Sequence, residues 1–270
     1  MKLTLIGYGF VGKAVHALLE DHYEISIVDP VYTSNEVKNE ISDGYMICLP
    51  TPSSVDGSCD MSIINEMLEQ ISKNRGGSAR VLIKSTISLE GWEYIDTMYP
   101  HLEITFSPEF LTAANAVEDF RNQDTILFGS NTIDTLVFGS EPADKFWVDV
   151  FTKCKDFTPI YSSIPELIVT KYVRNSFLAT KVAFFNEIYD LCREMNDIDY
   201  DEIESLVGLD TRIGKSHMQV PGPDGNRGFG GACFPKDTRA LYNSAKLKNC
   251  SLDILHAVIT SNERSIKENV

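Results

Sequence analysis

The chain has 270 residues, of which 43% are hydrophobic, and 39 acidic residues outnumber 24 basic ones to give a formal net charge of −15. This length allows one large domain or two ordinary ones with a sizeable core. The charge argues against nucleic-acid binding, which needs a basic surface. No apolar run approaches the roughly 18 residues of a membrane span, and the N-terminus lacks a signal-peptide cleavage pattern. We therefore expect a soluble, cytoplasmic protein.

The six cysteines show neither CxxC spacing nor the pattern of a small secreted framework. Structural zinc and disulfides are therefore not expected, and no metal site is predicted. Reduced thiols agree with a cytoplasmic location.

The first part of the chain alternates between strand and helix patterns. The apolar segments that read as strands are residues 2–6, 24–29, 44–50, 79–86, 102–110 and 124–129. Helical spacing of apolar residues follows the first strand and recurs over residues 61–74. This alternation predicts an α/β fold, with a Rossmann-type, doubly wound parallel sheet over residues 1–160.

The pattern changes after about residue 160. Residues 165–196 begin with proline, contain no internal glycine or proline, and read as one long helix that is apolar on more than one stripe. Its second apolar face must meet another surface, and we expect a homodimer through this helix. A glycine-rich loop over residues 220–235 precedes a helical stretch from Asp237 to the terminus. Residues 161–270 are therefore predicted to form an all-helical substrate and dimerisation domain.

A GxGxxG turn lies between the first strand and its helix, and Asp29 ends the next strand. The residues of this turn predicted to contact a cofactor are Gly7, Gly9, Phe10, Val11 and Gly12. Glycines permit the tight turn, the approach of a pyrophosphate and close packing of helix on strand. Asp29 would accept hydrogen bonds from a ribose diol and disfavour a 2′-phosphate, so NAD is expected. The alternative is a glycine turn with a solvated aspartate.

Cys233 lies in a polar, glycine-rich loop and is followed closely by Lys236. Glycines leave room for a substrate, and a nearby ammonium stabilises the reactive thiolate. The alternative is an inert buried thiol, which is our interpretation of Cys48, Cys154, Cys192 and Cys250. A nicotinamide cofactor with a reactive cysteine favours capture of an aldehyde as a thiohemiacetal, oxidation to a thioester and hydrolysis to the acid.

Several segments resemble, in order and almost end to end, the UDP-glucose/GDP-mannose dehydrogenase family. They are IGYGFVGKA (6–14), LPTP (49–52), KST (84–86), SPEFL (107–111), parts of residues 166–179, DTRIG (210–214) and GFGGACFPKD (228–237). The last segment is the most specific. The resemblance implies two hydride transfers to two NAD molecules, which convert the C6 alcohol of a nucleotide sugar into a carboxylate.

The resemblance also implies roles for individual residues. Cys233 would be the nucleophile, while Lys171 and Asn175 would hold an alkoxide or oxyanion. Glu109 would act as a base or orient water, and Asp237 would assist hydrolysis. Further expected cofactor contacts are Thr51, Thr86 and Lys236. Expected substrate contacts are Glu109, Phe110, Leu111, Lys171, Asn175, Phe229, Gly230 and, towards the neighbouring subunit, Arg212.

Each of these residues also has a structural interpretation. Lys171 and Asn175 could form a solvated helix face, and Glu109 could be an ordinary loop carboxylate. Arg212 could form a surface ion pair with Asp210. Asp237 could cap the last helix.

The chain departs from the family pattern at four places. It ends at Val270, where family members usually continue into a third domain that contributes to nucleotide binding. We expect that the core domains hold the substrate, that the substrate differs, or that another chain supplies this domain. Residues 29–49 lack the usual helix, and residues 112–114 replace a charged residue and a second glutamate. The loop between residues 212 and 233 is longer and would cover the site.

The leading hypothesis is a UDP-glucose dehydrogenase, with UDP-N-acetylmannosamine and GDP-mannose as other candidate substrates. A 3-hydroxyacid dehydrogenase would share the domain plan but have no use for the cysteine loop. The alternative from another class is a non-catalytic nucleotide- or sugar-binding protein.

Overall fold

The computed structural model describes residues 1–54, 57–75, 79–131, 145–195 and 197–267. The chain divides into two compact units. The first comprises residues 1–52 and 59–171, and the second comprises residues 53–58 and 172–270. The division falls inside a long helix, between Lys171 and Tyr172, whereas the sequence-based boundary at residue 160 precedes that helix.

Seven strands form one sheet in the described part of the first unit. They are β1 (Lys2–Ile6), β2 (Glu24–Val28), β3 (Gly44–Ile47), β4 (Arg80–Ile83), β5 (Glu103–Phe106), β6 (Thr125–Ser130) and β7 (Thr158–Tyr161). Their order is β2-β1-β3-β4-β5-β6-β7. The first five strands are parallel to one another, while β6 runs antiparallel to β5 and β7 is parallel to β6.

The predicted Rossmann-type α/β fold is confirmed. The sheet is mostly parallel, as predicted, but β6 runs antiparallel to β5, and β7 was not predicted. The apolar pattern of a strand is the same for either direction, so the sequence alone could not show that β6 is reversed.

Five helices and a short 3₁₀ turn accompany this sheet in the described residues. They are α1 (Phe10–Leu19), α2 (Ser62–Arg75), α3 (Leu89–Met98), α4 (Ala116–Asn122), α5 (Lys145–Thr152) and the turn Val37–Asn39. The large side chains of Phe120, Trp147 and Phe151 are fully buried in one core with Phe128 of β6 and with residues of β1 and β3. This core fixes the carboxyl ends of the parallel strands, where ligands of such folds bind.

The second unit is helical. After α6 (Ile164–Glu194), which begins in the first unit, it contains α7 (Tyr200–Val207), α8 (Phe234–Leu247) and α9 (Asp253–Lys267). The predicted long helix is confirmed. The helical stretch predicted from Asp237 onwards consists of two helices, because Asn249 adopts a left-handed φ of 55° between α8 and α9. Asparagine tolerates this conformation better than most residues. None of the helices in the described residues is long and apolar enough to cross a membrane.

Candidate active site

The glycine turn after β1 is fixed by close backbone contacts. Gly7 has a φ of +92°, and a Cβ there would lie 2.5 Å from the carbonyl oxygen of Cys48. A Cβ on Gly12 would lie 2.1 Å from the carbonyl oxygen of Gly7. Neither position therefore accepts a side chain. A Cβ on Gly9 would meet no atom within 4 Å, so the backbone at this position borders open space.

Asp29 follows β2 directly and ties that strand to the turn. Its Oδ2 accepts a hydrogen bond from the Tyr8 N–H at 2.7 Å, and its Oδ1 accepts one from the Val31 N–H at 2.9 Å. Each carboxylate oxygen retains capacity for another donor, such as a ribose hydroxyl. Gly9 is the N-cap residue of α1 and has no side chain that could bond the first-turn amides. These amides are therefore suited to a pyrophosphate. The turn fits a dinucleotide.

Two threonines meet at the carboxyl ends of β3 and β4. Thr51 donates its hydroxyl hydrogen to the carbonyl oxygen of Thr86 at 2.8 Å, and Thr51 is buried. The hydrogen bond fixes these two loops relative to each other. Direct contact of either threonine with a cofactor stays a prediction.

Glu109 and Lys171 form a buried ion pair in the first unit. Lys171 Nζ lies 2.7 Å from Glu109 Oε1, and the ammonium also donates to the backbone carbonyl of Glu109. The second carboxylate oxygen accepts from the Leu111 N–H at 2.7 Å. The ring of Phe110 lies 5.4 Å from the ammonium. Lys171 is only 4% exposed, which excludes a solvated helix face.

Lys84 joins this cluster, although sequence reasoning assigned it no role. It follows β4 and donates from Nζ to the carbonyl oxygen and hydroxyl of Ser107, both at 3.1 Å. Burial lowers the pKa of Lys84 to about 8. The Cys48 thiol and Glu109 oppose this shift, and Lys171 adds a smaller lowering. Its position at the end of a buried strand was the available signal in the sequence.

Cys233 is the N-cap residue of α8 and is partly exposed. The partial positive charge at a helix N-terminus favours a thiolate over a thiol. Gly231, two residues earlier, has a φ of +74°, which favours glycine, and a Cβ on Gly230 would meet no atom within 4 Å. The backbone beside the thiol therefore leaves space for a ligand.

Asp237 lies in the first turn of α8 and is fully buried. Its Oδ2 accepts from Asn175 Nδ2 at 2.5 Å, and its Oδ1 lies 2.5 Å from Lys236 Nζ. The helix cap is Cys233, so the capping interpretation of Asp237 is wrong. These two donors hold the Asp237 carboxylate in one orientation. The Lys236 ammonium, which was predicted to contact the cofactor, pairs with this carboxylate.

Two asparagines that sequence reasoning missed fix the start of the cysteine loop. Asn262 of α9 accepts from the Phe229 N–H at 2.6 Å and donates to the Phe229 carbonyl at 2.9 Å. Asn186 of α6 accepts from the Gly228 N–H at 3.0 Å. The Phe229 side chain is buried beside Ala179, so its contact with substrate stays a prediction. Both asparagines are buried, but helical spacing alone does not show which backbone they bind.

Arg212 forms an exposed ion pair with Asp210 at 2.6 Å. Its guanidinium is 88% exposed, and hydrogen bonding to Asp210 raises the pKa of Arg212. Its role towards a neighbouring subunit stays a prediction. Over the described residues, no group of three or more His, Cys, Asp or Glu side chains could hold a metal ion.

Comparison with known families gives two matches along the chain. Residues 30–142 match the NAD binding domain of the UDP-glucose/GDP-mannose dehydrogenase family, and residues 167–264 match its central domain. The chain belongs to this family, and NAD is the cofactor of its N-terminal domain.

Individual relatives agree with this assignment. UDP-glucose 6-dehydrogenase from Rickettsia felis is 33% identical over 98% of this chain and 65% of the relative. The Rickettsia conorii enzyme of the same name is 31% identical over 98% of this chain and 67% of its own. The chain spans about half to two thirds of the length of the curated relatives it matches.

Solved structures show the same fold. A UDP-glucose dehydrogenase from Pyrobaculum islandicum aligns with a TM-score of 0.82 at 25% identity, over 97% of this chain and 68% of that one. A 3-hydroxyisobutyrate dehydrogenase from Mycobacterium tuberculosis aligns with a TM-score of 0.73 at 14% identity, over 96% of this chain and 91% of that one. The second likeness concerns the fold alone.

Proposed function

We propose that this chain is an NAD-dependent nucleotide-sugar 6-dehydrogenase whose substrate is UDP-glucose. The overall reaction converts UDP-glucose, two NAD and water into UDP-glucuronate and two NADH. The observation that carries the proposal is the Cys233 thiol at the N-cap of α8, in a chain whose family uses NAD. A one-step alcohol dehydrogenase needs no such thiol.

The first oxidation takes the alcohol to an aldehyde. NAD, held at the glycine turn and Asp29, would supply the hydride acceptor for both oxidations. Glu109 takes up the hydroxyl proton, and the Lys171 ammonium donates a hydrogen bond to the developing alkoxide. Their buried ion pair supports these roles, because it places a proton acceptor and a hydrogen-bond donor 2.7 Å apart, away from solvent.

The second oxidation proceeds on the thiol. The Cys233 sulfur bonds to the aldehyde carbon, and the carbonyl oxygen takes up a proton to give a thiohemiacetal. Loss of that proton and of a hydride from the carbon gives a thioester. Water then adds to the thioester, the carbon–sulfur bond breaks, and a carboxylate and the thiol are released with a proton.

The buried carboxylate of Asp237 is proposed to assist hydrolysis. Asn175 and Lys236 hold its two oxygens, which supports a fixed orientation for a water-directing group. Asn175 is further proposed to hold the oxyanion. The proposed substrate contacts from the glycine loop are those of Phe229 and Gly230.

A homodimer through α6 is also proposed. Exposed apolar side chains recur along this helix at intervals of four and seven residues, which places them on one face. They are Val173, Phe177, Phe184 and Leu191. A continuous apolar stripe on a surface helix indicates a protein interface. Arg212 would then reach the substrate of the partner.

The test is incubation of the full chain with NAD and, separately, UDP-glucose, UDP-N-acetylmannosamine and GDP-mannose. We expect NADH from UDP-glucose, and NADH only from another sugar would reassign the substrate. A Cys233→Ser variant should lose steady-state turnover but bind NAD as the parent does. NAD binding without NADH from any sugar would instead favour a non-catalytic nucleotide-binding protein.

A further inference from the structure

Lys84 anchors the segment that presents Glu109. The lysine is 2% exposed, and its ammonium donates both to the carbonyl oxygen and to the hydroxyl of Ser107. Ser107 lies two residues before Glu109, and Lys171 holds Glu109 itself. Two buried lysines therefore hold the short segment 107–109 at its two ends.

The surroundings of Lys84 compensate its charge only in part. The rings of Phe120 and Phe151 lie 5.5 and 5.7 Å from Nζ, at distances that allow weak cation–π attraction. No carboxylate of the described residues lies within ion-pair distance of this ammonium. The titratable groups that act on it are the Cys48 thiol, the Glu109 carboxylate and the Lys171 ammonium.

The charges of Lys84, Lys171 and Glu109 do not cancel. Lys171 and Glu109 neutralise each other, so the pair alone carries no net charge towards a ligand. Lys84 adds a second cation and leaves one positive charge in excess among the three groups. A neutral amide could have bound Ser107 without the cost of burying a charge. The charge itself therefore calls for an explanation, and buried charges of this kind occur preferentially at functional sites.

We propose that Lys84 is a positioning residue that anchors Ser107 and gives the Glu109–Lys171 pair the excess positive charge that favours a negatively charged substrate oxygen. This inference rests on the proposed dehydrogenase function. It predicts that the reaction slows when Lys84 loses its proton, because the cluster then becomes neutral. The burial-lowered pKa of about 8 places this loss within an accessible pH range.

The first experiment needs no turnover. The Glu109 carboxyl ¹³C signal, assigned with Glu109→Gln, is compared at pH 7 in the parent chain, in Lys84→Met, which has nearly the same shape, and in Lys153→Met. We expect the signal to move in Lys84→Met and to stay in place in Lys153→Met, because Lys84 anchors Ser107 two residues before Glu109. An unmoved signal in Lys84→Met would overturn the proposal.

The second experiment measures the rate of NADH formation against pH. The parent should show a downward step near pH 8, whereas Lys84→Met should be slower by about 10-fold at pH 7 and lack the step. Lys153→Met is the matched control, since this exposed lysine lies over the Tyr23 ring, 5.2 Å from its centroid, and should keep the parental profile. A parental rate and step in Lys84→Met would overturn the proposal.

A further variant separates anchoring from charge. Ser107→Ala removes one acceptor and leaves the ammonium in place, so it should keep the step near pH 8 and lose less than about 3-fold in rate. If Lys84→Met does not fold, absence of the step from the parent, or its loss in Ser107→Ala, overturns the proposal. If the parent produces no NADH, the proposed function fails, while the Glu109 carboxyl signal still decides the role of Lys84.

Discussion

Asn262 shows how a single residue can fix a reactive loop. Its amide pairs with both backbone groups of Phe229, as a neighbouring strand would. A Cβ on Gly228 would lie 2.6 Å from Asn262 Oδ1, so the loop and the amide also fit closely in space. The glycine loop that leads to Cys233 is therefore held by side-chain hydrogen bonds where regular secondary structure is absent.

We expect Asn262→Ala to lower the free energy of unfolding by about 2–3 kcal/mol, because it leaves a buried N–H and a buried C=O without partners. Asn122→Ala is a suitable control, since Asn122 is exposed on α4 and bonds only to Glu118 among the described residues. It should change stability by less than about 0.5 kcal/mol. Denaturant unfolding measures both values. Equal losses of unfolding free energy in the two variants would contradict the role of Asn262 in holding the loop.

The lowered pKa of Lys84 also predicts that the free energy of unfolding depends on pH. Burial lowers its pKa to about 8 in the folded chain from the ordinary lysine value of 10.5, so the unfolded chain binds more protons between these pH values. Burial of the charge therefore costs about 3 kcal/mol below pH 8, and this cost disappears as the pH rises towards the unfolded pKa. The stability advantage of Lys84→Met over the parent should shrink between pH 7 and pH 10. An advantage that stays constant in denaturant titrations across this range would exclude a lowered pKa.

At the scale of elements, α6 contributes to both compact units. Lys171 lies in its first half, where it pairs with Glu109, and Asn175 follows one turn later and bonds to Asp237. Its apolar stripe is exposed, from Val173 to Leu191. One helix thus carries Lys171 in the first unit, Asn175 in the second and an apolar surface suited to a partner chain.

We expect Phe177→Asp to raise the dissociation constant of the proposed dimer by about 100-fold, because it places a charge within the apolar stripe. Phe177 is 68% exposed in the single chain, so the variant should still fold. Arg193→Glu is the control, since this exposed residue lies on the opposite side of the helix. Sedimentation of both variants tests the prediction, and an unchanged dimer in Phe177→Asp would exclude this face as the interface.

The sequence predicted the elements better than their directions and ends. Alternating apolar segments indicated the first six strands, but the same alternation fits either strand direction, so the reversal of β6 was not foreseen. The break at Asn249 was missed because helical spacing continues on both sides of it. Turn residues decide where a helix ends, and pairing with neighbouring strands decides which way a strand runs. Both involve groups outside the local apolar pattern.

The candidate site was predictable where a residue carries a recognisable motif. The glycine turn, Asp29 and Cys233 are examples. Lys84 and Asn262 were missed because their importance depends on partners that are distant in the chain, Ser107 and Phe229 respectively. A single sequence shows that a polar residue is present, but not that it is buried against a particular backbone group.

At the scale of the whole molecule, the net charge of −15 opposes a phosphate-bearing substrate. Local positive features lie in each unit: the N-terminus of α1 and the Lys84 ammonium in the first, and the N-terminus of α8 in the second. Such short-range features act where water is excluded, whereas the overall field is screened by salt. The molecule can therefore be acidic as a whole and still favour an anion at one place.

We propose that one chain performs both oxidations, the second of them through Cys233. The number of NADH molecules formed for each UDP-glucose consumed, with the sugar product identified by mass, tests this proposal. We expect two NADH and UDP-glucuronate, without release of an aldehyde. One NADH for each sugar, with the aldehyde as the final product, would show that the proposal is wrong.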